Sequence, residues 1–159
     1  IAYIGDGNNV AGSLALACAS VGTEFVIASP PAYQMKDITW QEAQIRASRN
    51  KTDVTWVQSP EIAALDADVI YTDVWVSMGQ DSESKERQSA FKNYQVNSAL
   101  MSLAKPTAIF MHDMPAHEGE EISAGMLDHP QSVVFDQAEN RLHAQNAQKI
   151  ERASCRESV

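Results

Sequence analysis

The sequence predicts an α/β fold, with a parallel sheet of about five strands covered by helices on both faces in a Rossmann-like arrangement. One observation behind this prediction is that short runs, apolar along their whole length, alternate with helical patterns. Another is that several of these runs end in polar or glycine-bearing stretches, where open α/β sheets bind ligands. The chain has 159 residues, 44% of them hydrophobic, which is enough for one ordinary core.

The individual elements follow from the spacing of the apolar residues. Runs typical of buried strands occupy residues 1–4, 24–28, 53–57, 68–71 and 107–111, with a shorter one at 132–135. Patterns typical of helices occupy residues 10–20, 39–50, 60–65, 84–93, 97–103 and 137–150. Asp136 is the expected N-cap of the last helix, and Cys18 is expected to lie in the core.

The composition limits the possible partners. A net charge of −9, from 21 acidic and 12 basic residues, argues against a nucleic-acid or anionic membrane surface and favours small-molecule ligands. Cys18 and Cys155 have neither metal-site spacing nor the pattern of a disulfide framework, which suits a cytoplasmic location. The chain begins directly in a strand-like run at Ile1, so we expect it to belong to a longer protein.

The first strand ends in a glycine-bearing turn, Gly5-Asp6-Gly7-Asn8-Asn9, which invites a dinucleotide interpretation. That interpretation is disfavoured, because Val10 stands at the third glycine position and the second strand leads to Ser29-Pro30-Pro31 without a ribose-binding carboxylate. No cofactor is predicted. The glycines suit a tight turn, while Asn8 and Asn9 offer hydrogen-bond donors and acceptors to a small polar ligand.

Polar side chains also follow the fourth and fifth strands. Asp73, Ser77 and Gly79 together suit a ligand with an ammonium group, although Asp73 taken alone is more typical of a cap or turn. After the fifth strand, a metal site is disfavoured because His112 and His117 are five residues apart with Pro115 between them. Residues 117–121 are then typical of a polar loop and the start of a helix.

Arg141, in the second turn of the last helix, suits a phosphate or a carbonyl oxygen as its partner. The alternative is a surface ion pair with Glu139.

Four segments, in this order along the chain, resemble ornithine carbamoyltransferases: residues 5–9, residues 73–79, the His112-x-x-Pro115-Ala116-His117 stretch and residues 136–145. The resemblance runs from Ile1 to about Ile150 and implies the second, ornithine-binding domain of such enzymes, with residues 151–159 outside it. That family transfers carbamoyl from carbamoyl phosphate to the side-chain amine of ornithine, giving citrulline and phosphate for arginine biosynthesis, without a cofactor. The resemblance also implies a homotrimer and a first, carbamoyl-phosphate-binding domain that these residues lack.

The resemblance assigns roles to residues of this chain. Four residues would hold the amino-acid end of ornithine: Asn9, Asp73, Ser77 and Met78. Asn8 lies beside Asn9 in the same turn. His112 and Arg141 would hold the carbamoyl phosphate oxygen and support its developing charge. Met114 would turn its carbonyl towards the ligand through a cis bond to Pro115.

The chain departs from the family at Asp113. The family has His-Cys-Leu-Pro where this chain has His112-Asp113-Met114-Pro115, and usually Arg where it has Glu118. We take Asp113 and His112 as the catalytic candidates. A carboxylate at 113 either stabilises the ammonium form of the attacking amine or, if burial raises its pKa, acts as a general base.

The added negative charge at Asp113 and Glu118 disfavours the binding of anionic transition-state mimics. In this respect the chain resembles inhibitor-insensitive isoforms of the family.

Two other functions stay open: a non-catalytic relative that binds ornithine or another amino acid, and a carbamoyltransferase acting on a different amine.

Residues 151–159 have almost no apolar face and resemble the translation of a sequencing adapter. We therefore expect a non-native tail that is disordered or weakly helical.

Overall fold

The computed structural model describes residues 1–76, 79 and 81–156. Its sheet has five strands, all parallel, in the spatial order β3-β2-β1-β4-β5. The strands are β1 (Ala2–Ile4), β2 (Phe25–Ala28), β3 (Val54–Val57), β4 (Val69–Thr72) and β5 (Ile109–His112). The predicted fold class is thereby confirmed.

Six α-helices connect and cover the strands in the described part of the chain. They are α1 (Asn9–Val21), α2 (Asp37–Asn50), α3 (Pro60–Ala64), α4 (Ser84–Phe91), α5 (Ser98–Met101) and α6 (Val134–Arg156). Local capping explains several starts: the side chains of Asn8, Ser59 and Asn97 accept backbone N–H groups at the first turns of α1, α3 and α5. No helix among the described residues has the length and apolar character needed to cross a membrane.

The core is divided between the two faces of the sheet. Ile4, Ile70 and Phe110 pack on one face with residues of α3 to α6, including Phe91 and Leu100. The strand residues Tyr3, Ile27 and Tyr71 point to the other face. They pack there with residues of α1 and α2 such as Ala15 and Ala43. Cys18 lies in this second cluster, so its predicted core position is confirmed.

The strand order places a crevice beside β1. From β1 the chain continues to β2 and β3 on one side of the sheet, and then returns to form β4 on the other side of β1. The direction in which strands are added therefore reverses at β1. Ligands bind outside the carboxyl ends of the strands at such a switch point. The β1–α1 turn and the chain leaving β4 meet at this position.

Three predicted elements differ in the structure. Residues 132–135 do not form a strand, because Ser132 makes only an isolated bridge to Phe110 and α6 begins at Val134. Asp136 therefore lies in the first turn of α6 and is not its N-cap. The helix also continues past residue 150 to Arg156, through residues compatible with a helical backbone, so the expected end at 150 is wrong.

The expected helix start at 117–121 is also absent from the described residues. Gly119 has a φ of +91°, a left-handed conformation, and its N–H donates to the Ile122 carbonyl at 2.8 Å. This turn interrupts the helical hydrogen-bond pattern.

Candidate functional site

Asn8 and Asp73 join the two sides of the switch-point crevice. The Asn8 Oδ1 atom accepts from the N–H groups of Val10 and Ala11 at 3.0 and 3.1 Å, which caps α1. Its Nδ2 atom donates to Asp73 Oδ2 at 2.8 Å, and Asp73 Oδ1 accepts from the Val74 N–H at 2.7 Å. Asn8 thus holds Asp73, while Asn9 is exposed beside it at the start of α1.

Asp73 is a buried carboxylate, with 7% of the residue exposed. Each of its oxygens already accepts one hydrogen bond, and a carboxylate oxygen has two lone pairs. Capacity therefore remains for an ammonium donor in a fixed position. Ser77 and Met78, predicted to lie on the same loop, are outside the described residues.

Asp113 follows β5 directly and lies near Asp73. Its Oδ1 atom is buried, has no hydrogen-bond partner among the described residues, and lies 3.7 Å from His112 Nδ1. Burial raises the pKa of Asp113 to about 6, and the neighbouring charge of Asp73 adds to the shift. The site therefore contains two carboxylates, and one of them has a pKa close to neutrality.

The His112 ring is fully buried, and both of its nitrogens face protein groups. Nδ1 accepts from the Met114 N–H at 2.9 Å, and because a backbone N–H can only donate, we assign the ring proton to Nε2. Nε2 lies 3.2 Å from Glu121 Oε1, which accepts a hydrogen bond from the Nε2–H group. In this arrangement the ring supports the loop after β5.

Glu121 is a buried partner that the sequence pattern did not single out. Its Oε1 atom accepts from His112 and also from the His117 N–H at 2.5 Å. Burial alone would raise the pKa of Glu121, but the hydrogen bonds from His112 and from the His117 backbone lower it overall. An ionised carboxylate therefore fixes the orientation of the His112 ring.

Gln137 is a second support that the sequence pattern did not reveal. Its Oε1 atom accepts from the His112 N–H at 3.1 Å and its Nε2 atom donates to the Tyr71 hydroxyl at 2.9 Å. Burial, with the charge of Asp113, raises the pKa of Tyr71 to about 12, so the hydroxyl stays protonated at neutral pH. Gln137 thereby ties α6 to β4 and β5.

Arg141 lies one turn beyond Gln137 on the exposed part of α6. Its positive charge lowers the Tyr71 pKa and so opposes the rise that burial causes. The alternative ion pair with Glu139 is not found among the described residues, where Glu139 lies 3.7 Å from His143.

The loop after β5 has the predicted backbone. The Met114–Pro115 bond is cis, which confirms the prediction, and Met114 has a φ of +58°.

A cavity of about 600 Å³ adjoins the site on the α1 side, lined by Asn8, Asn9, Tyr33, Met35 and Arg87 among others. Asp73 and Asp113 are not among its lining residues, but Asn8, which lines it, donates to Asp73. Gly7 is required in its wall, because a Cβ there would lie 2.2 Å from the Met35 nitrogen.

A buried ion pair braces the first turn against α4. Arg87 Nη1 lies 2.7 Å from Asp6 Oδ2, with 8% of each side chain exposed, and it also donates to the Trp75 carbonyl at 3.1 Å. The guanidinium lies 4.9 Å above the Tyr33 ring. The brace connects the turn that carries Asn8 with the chain that follows Asp73.

We expect Arg87→Met to lower the free energy of unfolding by about 3 kcal/mol, because it leaves the Asp6 carboxylate buried without its partner. Urea unfolding measures the loss. The matched control is Arg46→Met, which removes an ion pair of the same 2.7 Å length with Glu42, but one whose side chains are 40% and 45% exposed. We expect less than about 1 kcal/mol there, and equal losses would contradict the role of burial.

Comparison with known proteins gives one consistent result. The family described as aspartate/ornithine carbamoyltransferase, Asp/Orn binding domain, matches residues 1–148. An ornithine carbamoyltransferase of Geobacillus stearothermophilus is 52% identical over 147 residues, covering 92% of this chain and 47% of that protein. An anabolic ornithine carbamoyltransferase of Pyrococcus furiosus is 48% identical over 147 residues, with the same coverage of both chains.

Solved structures agree with these relatives. The ornithine carbamoyltransferase structure from Pyrococcus furiosus superimposes with a TM-score of 0.86 at 48% identity, covering 92% of this chain and 47% of that one. The anabolic enzyme from Campylobacter jejuni gives 0.89 at 33% identity, covering 94% and 49%. The chain spans about half the length of the relatives it matches. It therefore belongs to the aspartate/ornithine carbamoyltransferase family, through the Asp/Orn-binding domain of that family.

Proposed function

We propose that the protein transfers the carbamoyl group of carbamoyl phosphate to the side-chain amine of L-ornithine, giving L-citrulline and phosphate in arginine biosynthesis. The observation that carries the proposal is Asp73, a buried carboxylate at the switch point whose orientation is fixed by Asn8 and the Val74 N–H. A buried carboxylate with remaining lone pairs is a receptor for an ammonium group. Its geometry suits the α-ammonium of ornithine.

The second carboxylate serves the reacting amine. An ornithine side-chain amine resembles that of lysine, with an ordinary pKa of about 10.4, so it must lose a proton before it attacks. Asp113 has an unpartnered Oδ1 atom and a pKa raised to about 6, mainly by burial. A base is more effective as its pKa approaches the working pH, so we assign proton removal to Asp113.

The remaining residues of the site hold the reactants. We assign Asn9, Ser77 and Met78 to the amino-acid end of ornithine, with Asn8 acting through Asp73. We assign Arg141 and the Met114 carbonyl to the reacting groups, and His112 to positioning that loop through its contacts with Glu121 and the Met114 N–H. Main-chain and side-chain groups of this kind stabilise the charge that develops on the carbamoyl oxygen.

Further parts of the proposal concern the assembly. We propose that residues 1–150 act with a carbamoyl-phosphate-binding domain of the same protein in a cytoplasmic homotrimer, without cofactor or nucleic acid. Residues 151–159 are then not needed for the reaction.

Citrulline formation by the full-length protein tests the activity. We expect citrulline and phosphate in equal amounts from ornithine and carbamoyl phosphate, and no product when putrescine replaces ornithine. Putrescine keeps a second ammonium group for Asp73 but lacks the α-carboxylate of ornithine, so the other groups assigned to the amino-acid end would be left without their partner. Product from putrescine but not from ornithine would overturn the substrate assignment.

A second candidate is an amino-acid-binding relative without turnover. It is favoured by the occupation of both His112 ring nitrogens and by a carboxylate at 113 where the resembled family has a thiol. Ornithine binding measured by calorimetry, together with no citrulline from the same sample, would support this candidate and exclude the transferase.

A further inference from the structure

The turn that follows the loop after β5 gathers three potential metal ligands. The Glu120 N–H donates to the His117 carbonyl at 3.1 Å, and the Gly119 N–H donates to Ile122. The side-chain ligand atoms of His117, Glu120 and Glu121 all lie within 4.8 Å of one another. His112, although it contacts Glu121, is not part of this cluster.

One oxygen of Glu121 points into the cluster without a partner. The Glu121 side chain is fully buried, and both of its protein donors, His112 Nε2 and the His117 N–H, bind Oε1. Oε2 is buried and accepts no hydrogen bond from the part of the chain that the structure describes, with His117 Nδ1 3.7 Å away. A buried carboxylate oxygen left unsatisfied is costly, and a bound cation would remove that cost.

The surroundings favour positive charge. Gln88 Nε2 donates to Glu120 Oε1 at 3.0 Å, which orients that carboxylate while leaving its second oxygen available. Glu118 adds a negative charge beside the cluster, at a position where the resembled family usually has arginine. Its side chain is held there by the Gly125 N–H at 3.0 Å. The local charge balance therefore differs from that of the family by two units in favour of a cation.

We propose that His117, Glu120 and Glu121 bind a zinc ion, with a fourth position open to water or to an added ligand. One imidazole nitrogen and two carboxylate oxygens are typical zinc ligands. Zinc–ligand bonds of about 2.1 Å in a tetrahedron place ligand atoms about 3.4 Å apart, so only a small approach by the exposed His117 ring is needed. The sequence argument against a metal concerned His112 and His117 as a pair, and the proposed site uses only the second of them.

Zinc at this position acts on the loop after β5. The Oε2 atom of Glu121 would bind the ion, while its Oε1 atom accepts the hydrogen bond from His112. One carboxylate would therefore connect the metal to the ring that supports Asp113 and Met114. A residue that is hydrogen-bonded to a metal ligand, as His112 is to Glu121, fixes the orientation of that ligand. The ion is thus a structural support for the loop and takes no part in the carbamoyl transfer.

Calorimetric titration of the metal-free, full-length protein with zinc chloride tests the proposal. We expect one zinc per chain, and binding weakened at least about tenfold in His117→Ala and in Glu120→Gln. Glu120→Gln keeps the acceptor for Gln88, so its fold is preserved even if His117→Ala is not stable. The matched control is His143→Ala, since His143 also lies 3.7 Å from a glutamate four residues away, and we expect unchanged binding there.

A plain ion pair between His117 and Glu121 is the competing explanation. It predicts no stoichiometric zinc uptake, or uptake that is the same in Glu120→Gln as in the parent, and either result would overturn the proposal. The titration contains neither ornithine nor carbamoyl phosphate. A negative result therefore leaves the proposed transferase activity intact, and a missing activity leaves the zinc measurement valid.

Discussion

Replacement of Asp73 by asparagine is expected to raise the ornithine KM of the full-length protein by about 100-fold, while the carbamoyl phosphate KM changes little. The change removes one member of a desolvated charge pair, an effect commonly worth several kcal/mol. The introduced side chain keeps one oxygen, so it can still accept one of the two hydrogen bonds that Asp73 accepts from the Asn8 amide and the Val74 N–H in the parent. Steady-state kinetics with each substrate varied separately measures both constants.

Asp53→Asn is the control for the loss of one negative charge. Asp53 is exposed at the start of β3, at the far edge of the sheet from β5, so its replacement should leave both KM values unchanged. If Asp73→Asn raised both constants equally, the role of Asp73 as the ornithine ammonium receptor would be wrong.

The second large effect is expected at Asp113, where we predict that alanine lowers turnover by about 10²–10⁴-fold, the usual contribution of a general base. The parent should lose activity as the pH falls through about 6, because Asp113 takes up a proton there. A pH series of kcat/KM for parent and variant measures both effects. The alanine variant should lack this acidic limb.

The same residue makes a predictable contribution to stability. Its folded pKa of about 6 lies above the ordinary value of about 3.9, so folding favours the protonated carboxyl. That contribution is fully present below about pH 4 and is lost as the pH rises to about 6. Urea unfolding at both pH values should show this loss in the parent and a smaller one in Asp113→Ala.

Asp113→Cys separates a working carboxylate from a tolerated replacement. A thiol has an ordinary pKa of about 8.5, so the acidic limb should move towards alkaline pH and sensitivity to anionic transition-state mimics should increase. If Asp113→Ala instead matched the parent in turnover and kept its inhibitor tolerance, Asp113 would not be the base.

Much of the fold was predictable because it depends on local pattern. Continuous apolar runs separated by helical periodicity indicate a parallel sheet covered on both faces, and all five longer runs are strands. The run at 132–135 was misleading, because a short apolar run alone does not distinguish a strand from the start of a helix. Strand ends also predicted where polar residues converge, since parallel strands present their carboxyl ends at one edge.

The sequence by itself therefore determined the sheet, the family and the stretches that form the site. Only the tertiary structure decided which atoms remain available within it. Asn8 looked like a ligand-binding amide, yet it caps α1 and orients Asp73. His112 was expected to hold the carbamoyl phosphate oxygen, yet Glu121 and the Met114 N–H occupy both of its ring nitrogens. These outcomes depend on hydrogen bonds between groups far apart in the chain, or across a turn, whose distances are set by packing and leave no periodic signal in the sequence.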